Sequence, residues 1–403
     1  MEDTILIVGA GQAGGRAAEA LRRGCFKGRI VMVGDETHRP YERPPLSKDV
    51  LLAKDDTTCF SGWLHDASFY DDSAVEHLND SVAKLDTQRH IAILASGSEL
   101  TYDKCLIATG GRARDIEGIE RSARVVSLRT LDDALRLRTL LIGAKHVAVI
   151  GGGFLGLEFA ASARARGIDV TVFEAGSRLL ARAIPNAFAE KLLEKHESQG
   201  VRVIFDAGAT SVRTHDDAVI VMNRTGTSQF DFCVIAVGQM PNDEIAHQSG
   251  IAVDNGIVVD EFCRTSAPNV YAAGDCANFS LNANGRRMRL ESWQNAQEQA
   301  IAAAKNMLGV ETPYRPTPWF WTDQYDWNIQ MLGLHDDSID RWVLRAGADE
   351  KMLLIGLREN VVVFALALNQ GGDLRALRRV IEQAKPVDAD RLADPNVKLR
   401  QII

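Results

Sequence analysis

Several features common to other protein classes are missing from this chain of 403 residues. Its six cysteines, Cys25, Cys59, Cys105, Cys233, Cys263 and Cys276, include no Cys-x-x-Cys pair. That spacing excludes the usual zinc patterns and a small disulfide framework. Most of these thiols are expected to be buried and inert in a reducing compartment. Basic residues are not in excess: 46 Lys and Arg stand against 54 Asp and Glu, a net charge of −8. A nucleic-acid binder normally shows the opposite balance. No apolar run approaches ~20 residues, so no membrane-spanning helix is expected. The start, Met1-Glu2-Asp3-Thr4, lacks the basic and apolar segments of a signal peptide. Cytoplasmic placement follows as the expectation.

What remains is an ordinary globular composition, 46% hydrophobic and 25% charged. The length suggests two or three domains. One pattern occurs twice. Ile5 to Val8 reads as a strand, Gly9-Ala10-Gly11-Gln12-Ala13-Gly14 as a turn, and the Ala-rich stretch to Arg23 as a helix. A second strand, Arg29 to Val33, ends at Gly34-Asp35-Glu36. The pattern returns as His146 to Ile150, Gly151-Gly152-Gly153-Phe154-Leu155-Gly156, a helix to Arg166, and Asp169 to Phe173 ending at Glu174. Each copy is a β-α-β unit, which implies a parallel sheet covered by helices.

A lone G-x-G-x-x-G is weak evidence, since a packing glycine in an ordinary loop has the same look. Here both copies lie between strand and helix, with an acid ~20 residues on. Gly9 and Gly151 permit the tight turn, Gly11 and Gly153 admit a pyrophosphate, and Gly14 and Gly156 let helix and strand pack closely. The helix N-terminus then faces the phosphates. Glu174 suits both ribose hydroxyls of NAD and repels a 2′-phosphate, although Arg178 and Arg182 follow it. Asp35 or Glu36 has the corresponding place in the first site.

Three further stretches are Leu106-Ile107-Ala108-Thr109-Gly110, Val234 to Gly238, and Asn269 to Asp275 with its Gly274-Asp275. After about residue 320 the texture changes. Asn328–Leu334, Trp342–Arg345, Met352–Leu357 and Val361–Leu368 read as short strands, with a turn at Arg358-Glu359-Asn360. Asp373 to Lys385 reads as a helix, and the polar tail after Pro386 as an extended arm.

In this order, these stretches resemble the pyridine-nucleotide-dependent flavoprotein reductases. The resemblance extends to Arg39-Pro40-Tyr41-Glu42-Arg43-Pro44-Pro45-Leu46-Ser47-Lys48, Leu128-Arg129-Thr130, Glu291 to Ala296, and Pro318 to Gln324. Within that group the chain is similar to the ferredoxin or rubredoxin reductases that serve Rieske-type aromatic-ring dioxygenases and some cytochromes P450. The resemblance implies an α/β fold of glutathione-reductase-like architecture, with two doubly wound Rossmann-like domains and a C-terminal α+β domain. The expected boundaries are 1–110 with 239–318 for FAD, 111–238 for NAD, and 319–403 for the last domain.

The resemblance also implies roles. FAD would be held by Gly9, Gly11, Ala13, Gly14, Asp35, Glu36 and Arg43, and by Lys48, Val82, Thr109, Gly110, Arg129, Asp275 and Trp293. NAD would be held by Gly151, Gly153, Leu155, Gly156, Glu158, Glu174, Arg182 and Gly238. Lys48 would stand beside the flavin ring, Glu158 would pair with it, and Trp321 would line the same cavity. On bare sequence Lys48 and Glu158 are equally a solvated lysine and a helix-surface acid. The Trp-Phe-Trp run from Trp319 to Trp321 is equally hydrophobic core. No redox cysteine lies in the segment 41–48, so a thiol step is not expected.

The implied activity is transfer of hydride from NADH to FAD, then of single electrons to a [2Fe–2S] ferredoxin or a rubredoxin. Arg375, Arg378 and Arg379 form either part of a basic patch for that partner or a solvated helix face. Two alternatives share the motifs: an NADH oxidase or small-molecule reductase, and an apoptosis-inducing-factor-like NADH-sensing flavoprotein.

Overall fold

A computed structural model describes residues 3–54, 60–209, 211–281, 287–347 and 350–402. The chain forms two compact units. One comprises Met1–Pro44, Ser61–Arg112 and Gln239–Pro316, and the other Pro45–Phe60, Ala113–Gly238 and Thr317–Ile403.

The first unit is built on a parallel sheet in the order Val270–Ala272, Lys104–Ile107, Thr4–Val8, Arg29–Gly34, Val75–Asn79. Its central strands are buried along nearly their whole length, as strands covered on both faces must be. The helix Gln12–Arg23 buries Ala13, Ala17 and Leu21 along one stripe. It packs against the helix Trp293–Met307, whose Ala296, Ala300, Ala303 and Ala304 are also buried. Small side chains on both helices permit a close approach. An antiparallel meander, Val82–Asp86, Ile91–Leu94 and Glu99–Thr101, completes the repeat.

The second unit repeats this plan. Its parallel sheet runs Val201–Ile204, Asp169–Phe173, His146–Ile150, Phe232–Ile235, Val125–Ser127. A second meander follows, Ser211–His215, Ala218–Asn223 and Gly226–Phe230. The same unit holds an antiparallel sheet in the order Trp319–Gln324, Trp327–Gly333, Val361–Leu368, Met352–Arg358, Arg341–Ala346. The helix Leu374–Gln383 buries Leu374, Leu377 and Val380 and lies against Val361–Leu368. The fold class expected from the sequence is therefore the one observed: two doubly wound parallel sheets and a C-terminal α+β layer.

Two differences have physical causes. The tail after Pro386 is not an extended arm. Asp388 caps a short helix, Ala389–Ala393, by accepting from the Asp390 and Arg391 N–H groups. Ala389, Leu392 and Leu399 are buried. The buried Arg345 guanidinium donates to the carbonyls of Leu392, Asp394, Pro395 and Val397 and so fastens the tail down. The run Trp319 to Gln324, read as cavity lining or hydrophobic core without a secondary structure, is the first strand of the C-terminal sheet. Among the described residues, no helix is long and apolar enough to cross a membrane.

Candidate functional site

The two glycine turns share one geometry. Gly9 has φ 115° and Gly151 has φ 106°, in the left-handed region that favours glycine. A Cβ on Gly14 would stand 2.0 Å from the Gly9 carbonyl oxygen, and one on Gly156 would stand 2.2 Å from that of Gly151. These glycines let each helix sit against its own turn. At Gly11 and Gly153 a Cβ would meet nothing nearer than 3.9 Å, so the space outside each helix start is open. Gly11 and Gly153 are also the N-caps, and neither helix has a side-chain cap. Helix N–H groups facing open space in this way fit a diphosphate. Ala13 is buried in the first helix, and beside it the buried Gln12 amide finds no partner within the chain. Leu155 lies in the first turn of the second helix, 36% exposed.

In the first unit, the Glu36 carboxylate accepts from the Tyr41 hydroxyl and, at 2.6 Å, from Arg43. Asp35 is exposed. Of the two acids, Glu36 is thus the one held in place. Thr109 donates from Oγ1 to the Asn242 carbonyl, and the Asn242 amide donates back to the Thr109 carbonyl at 3.0 Å. This exchange fixes the strand end where Gly110, at φ 65°, turns the chain. Asn242 carried no recognisable signal in the sequence. Asp275 accepts from the Gln239 amide at 3.0 Å. Val82 opens the meander and is half-buried. Trp293 begins a helix capped by Ser292, which accepts from the Asn295 N–H.

In the second unit, Glu174 accepts from the N–H groups of Gly152 and Gly176, both at 2.7 Å. Arg178 is engaged with the carbonyls of Ala181 and Ile184 in its own loop. Arg182 is exposed. Gly238 ends its segment at φ 92°. The Leu128-Arg129-Thr130 stretch has a structural task. Thr130 caps the helix Leu131–Leu140, and Asp133 accepts from the Arg129 and Thr130 N–H groups in return.

The same unit brings Lys48 and Glu158 together. The Lys48 ammonium lies 3.0 Å from Glu158 Oε1, with only 16% and 9% of the two side chains exposed. The helix Phe154–Ala165 places Phe154, Glu158 and Ser162 on one face, at helical spacing. The strand Trp319–Gln324 turns Phe320, Thr322 and Gln324 towards that face by its alternation. Phe154 and Phe320 have ring centroids 4.6 Å apart. Thr322 donates to Glu158 Oε1 at 2.7 Å, and Ser47 donates to Glu158 Oε2 at 2.5 Å. Ser162 donates to the Ser47 carbonyl at 2.7 Å and holds the loop. Glu158 is therefore a buried, three-donor carboxylate rather than a helix-surface acid.

These contacts also explain why Pro45–Phe60 belongs to the second unit, although the sequence reading placed it within 1–110. Arg166 and Arg138 add to the attachment by donating to the carbonyls of Leu51 and Ala53. Trp321 stacks on Trp319 at 4.9 Å, on the strand face opposite to Thr322. Ser47 and Thr322 were visible in the sequence only as members of longer motifs.

Cys105, Cys233, Cys263 and Cys276 are buried, and burial pushes their thiols up from the ordinary value. Cys25 is exposed, and Cys59 lies outside the described residues. On the helix Leu374–Gln383, Arg375 and Arg379 are exposed and Arg378 is half-buried.

The family model described as pyridine nucleotide-disulphide oxidoreductase matches residues 3–300. A second, described as reductase C-terminal, matches residues 319–403. The chain is 38% identical to the anthranilate 1,2-dioxygenase system ferredoxin–NAD(+) reductase component of Burkholderia cepacia, over 100% of this chain and 99% of the relative. It is 36% identical to the 3-phenylpropionate/cinnamic acid dioxygenase ferredoxin–NAD(+) reductase component of Photorhabdus laumondii, over 94% and 96%. The crystal structure of the covalent putidaredoxin reductase–putidaredoxin complex superimposes with a TM-score of 0.93 at 33% identity, covering 99% of this chain and 98% of that one.

Proposed function

This chain belongs to the pyridine nucleotide-disulphide oxidoreductase family, and on that premise we propose that it is an NADH-dependent ferredoxin reductase feeding an aromatic-ring dioxygenase. The observation that carries the proposal is the full-length match to reductase components of dioxygenase systems. The cofactors are FAD and NADH. When bound, FAD supplies the chemistry of accepting hydride and releasing electrons one at a time, while the protein positions the reactants. The partner is a [2Fe–2S] ferredoxin.

FAD is assigned to the first glycine turn, with Glu36 and Arg43 on its ribose side, and Thr109, Gly110, Arg129, Asp275 and Trp293 as further contacts. NADH is assigned to the second turn, with Glu174 on the adenosine ribose. Lys48, Glu158 and Trp321 are assigned to the reaction centre. Their support is the buried Lys48–Glu158 pair, which presents one ammonium held in a fixed place. The domain boundaries read from the sequence, 1–110 with 239–318, 111–238 and 319–403, are retained as functional divisions. Cytoplasmic location is part of the same reading.

The test is a flavin absorption spectrum followed by NADH oxidation with and without a [2Fe–2S] ferredoxin coupled to cytochrome c. Ferredoxin-dependent reduction of cytochrome c is the expected result. Rapid oxygen consumption indifferent to ferredoxin would favour an NADH oxidase instead. Failure to bind flavin would sink the proposal.

A further inference from the structure

Behind Glu158 lies a buried polar chain that the reaction centre does not account for. Thr322 is 0% exposed, Gln324 1% and His196 0%. Gln324 Nε2 lies 3.1 Å from Thr322 Oγ1. His196 Nε2 lies 2.7 Å from Gln324 Oε1, and the Tyr325 hydroxyl lies 3.1 Å from His196 Nδ1. Polar groups so deep in a core cost stability unless each is satisfied, and apolar residues would pack there more cheaply.

The direction of the chain follows from its last member. A carboxylate only accepts, so the Thr322 hydroxyl donates to Glu158. Its oxygen then accepts from the Gln324 amide nitrogen. That orientation turns Oε1 of Gln324 to His196, which must donate through Nε2. Nδ1 is left as an acceptor, and Tyr325 donates to it. Every hydrogen bond thus points towards Glu158, and a chain of aligned donors polarises along its length. Burial lowers His196 to about 4, which keeps the imidazole neutral and able to accept at Nδ1.

Tyr325 is held at the outer end of the chain by a tight turn. It has φ 57°, uncommon for an aromatic residue. It opens the turn between Trp319–Gln324 and Trp327–Gly333, and Lys195 holds the next residue, Asp326, at 2.6 Å. A two-residue hairpin turn calls for φ > 0 at this position, and the turn brings the Tyr325 hydroxyl within reach of the histidine.

We propose that Tyr325, His196, Gln324 and Thr322 form a one-way hydrogen-bond relay that positions the Glu158 carboxylate, and through it the Lys48 ammonium, for the hydride step. Thr322, Gln324 and His196 are positioning residues. The inference rests on the assignment of Lys48 and Glu158 to the reaction centre.

The test uses the flavin-loaded protein with labelled histidine and reads the His196 imidazole by 15N NMR. The parent is expected to show the neutral Nε2–H tautomer. In Thr322→Val the Gln324 amide loses its acceptor and is free to flip, so a substantial Nδ1–H population appears at His196. Thr322→Ser restores the parent spectrum. In stopped flow, Thr322→Val slows the limiting rate of flavin reduction by NADH about tenfold, the size of one hydrogen bond to a charged group, with the NADH affinity unchanged. An Nδ1–H tautomer in the parent would overturn the relay without any variant. So would a His196 signal indifferent to Thr322→Val, or a loss confined to NADH affinity. The tautomer is read without any electron acceptor, so failure to reduce ferredoxin would count against the proposed function and not against the relay.

Discussion

Glu174 accepts the Gly152 N–H at 2.7 Å, which ties the end of one strand to the glycine turn of the strand beside it. Its other oxygen accepts from Gly176. Each oxygen keeps a lone pair for a ribose hydroxyl. Glu174→Ala is expected to raise the NADH KM about tenfold, the size of one or two such hydrogen bonds. NADPH turnover should hold or improve, because a charge facing the 2′-phosphate is gone. Steady-state rates with ferricyanide as acceptor measure both. An equal loss for the two nucleotides would show that Glu174 is only a brace for the turn.

The glycines of each turn are predicted to separate into two kinds. Gly14→Ala and Gly156→Ala drive a Cβ into backbone oxygen at 2.0 and 2.2 Å. These should cost about 3 kcal/mol or more of stability. Gly11→Ala and Gly153→Ala place the methyl in open space. Both should fold with a Tm close to the parent. Gly11→Ala should then bind FAD poorly, and Gly153→Ala should retain FAD and bind NADH poorly. Flavin content and thermal melts of the four variants decide the matter, and a normal flavin content in Gly11→Ala would remove the first turn from the FAD site.

His196 makes the fold sensitive to acid. Its pKa falls from 6.5 to about 4 on folding, because burial disfavours the imidazolium. The unfolded chain then binds the extra proton first as pH drops. The stabilisation is present in full above about 6.5 and lost as pH falls through 4, roughly 3 kcal/mol in all. Urea unfolding at pH 7 and 4.5 should show a clearly smaller loss in His196→Gln than in the parent. Parallel losses would mean that other groups set the acid limit.

The exposed pair Arg375 and Arg379 suits an acidic partner. Reversing both charges, Arg375→Glu with Arg379→Glu, should raise the ferredoxin KM about tenfold at low salt and leave ferricyanide reduction unchanged. The difference should shrink at high ionic strength. If ferredoxin kinetics do not move, the helix is a solvated face.

The inner strands of the parallel sheets were legible because they carry their own signals, continuous apolar runs with glycine turns or terminal acids, all local in sequence; Val75–Asn79, Val125–Ser127 and Val201–Ile204, which lack those signals, were not read. Thr322 illustrates the limit. Its neighbours Trp321 and Asp323 face the other way, and only the pairing of its strand with the helix Phe154–Ala165 shows that it meets Glu158. That contact spans 164 positions in the chain. Ser47 was hidden for the same reason. The tail after Pro386 misled in another way: its polar composition masked three buried anchors and the Arg345 contacts that hold it. The two meanders went unnoticed because their strands carry no glycine turn of the kind that marked the parallel ones.

The interruption of the first sheet bears on how the chain is made. Thr4–Val8 and Lys104–Ile107 are both made early in synthesis, but the strand that covers the far side of Lys104–Ile107 is Val270–Ala272. By then the second sheet, drawn from residues 125 to 235, has every strand it needs. On the ribosome the later sheet is therefore able to close before the earlier one. Until residue 270 emerges, Lys104–Ile107 offers an open edge of Leu and Ile to any neighbouring chain. A weak promoter, which leaves few neighbouring nascent chains, should accordingly raise the soluble yield, whereas a strong promoter should send the protein into inclusion bodies.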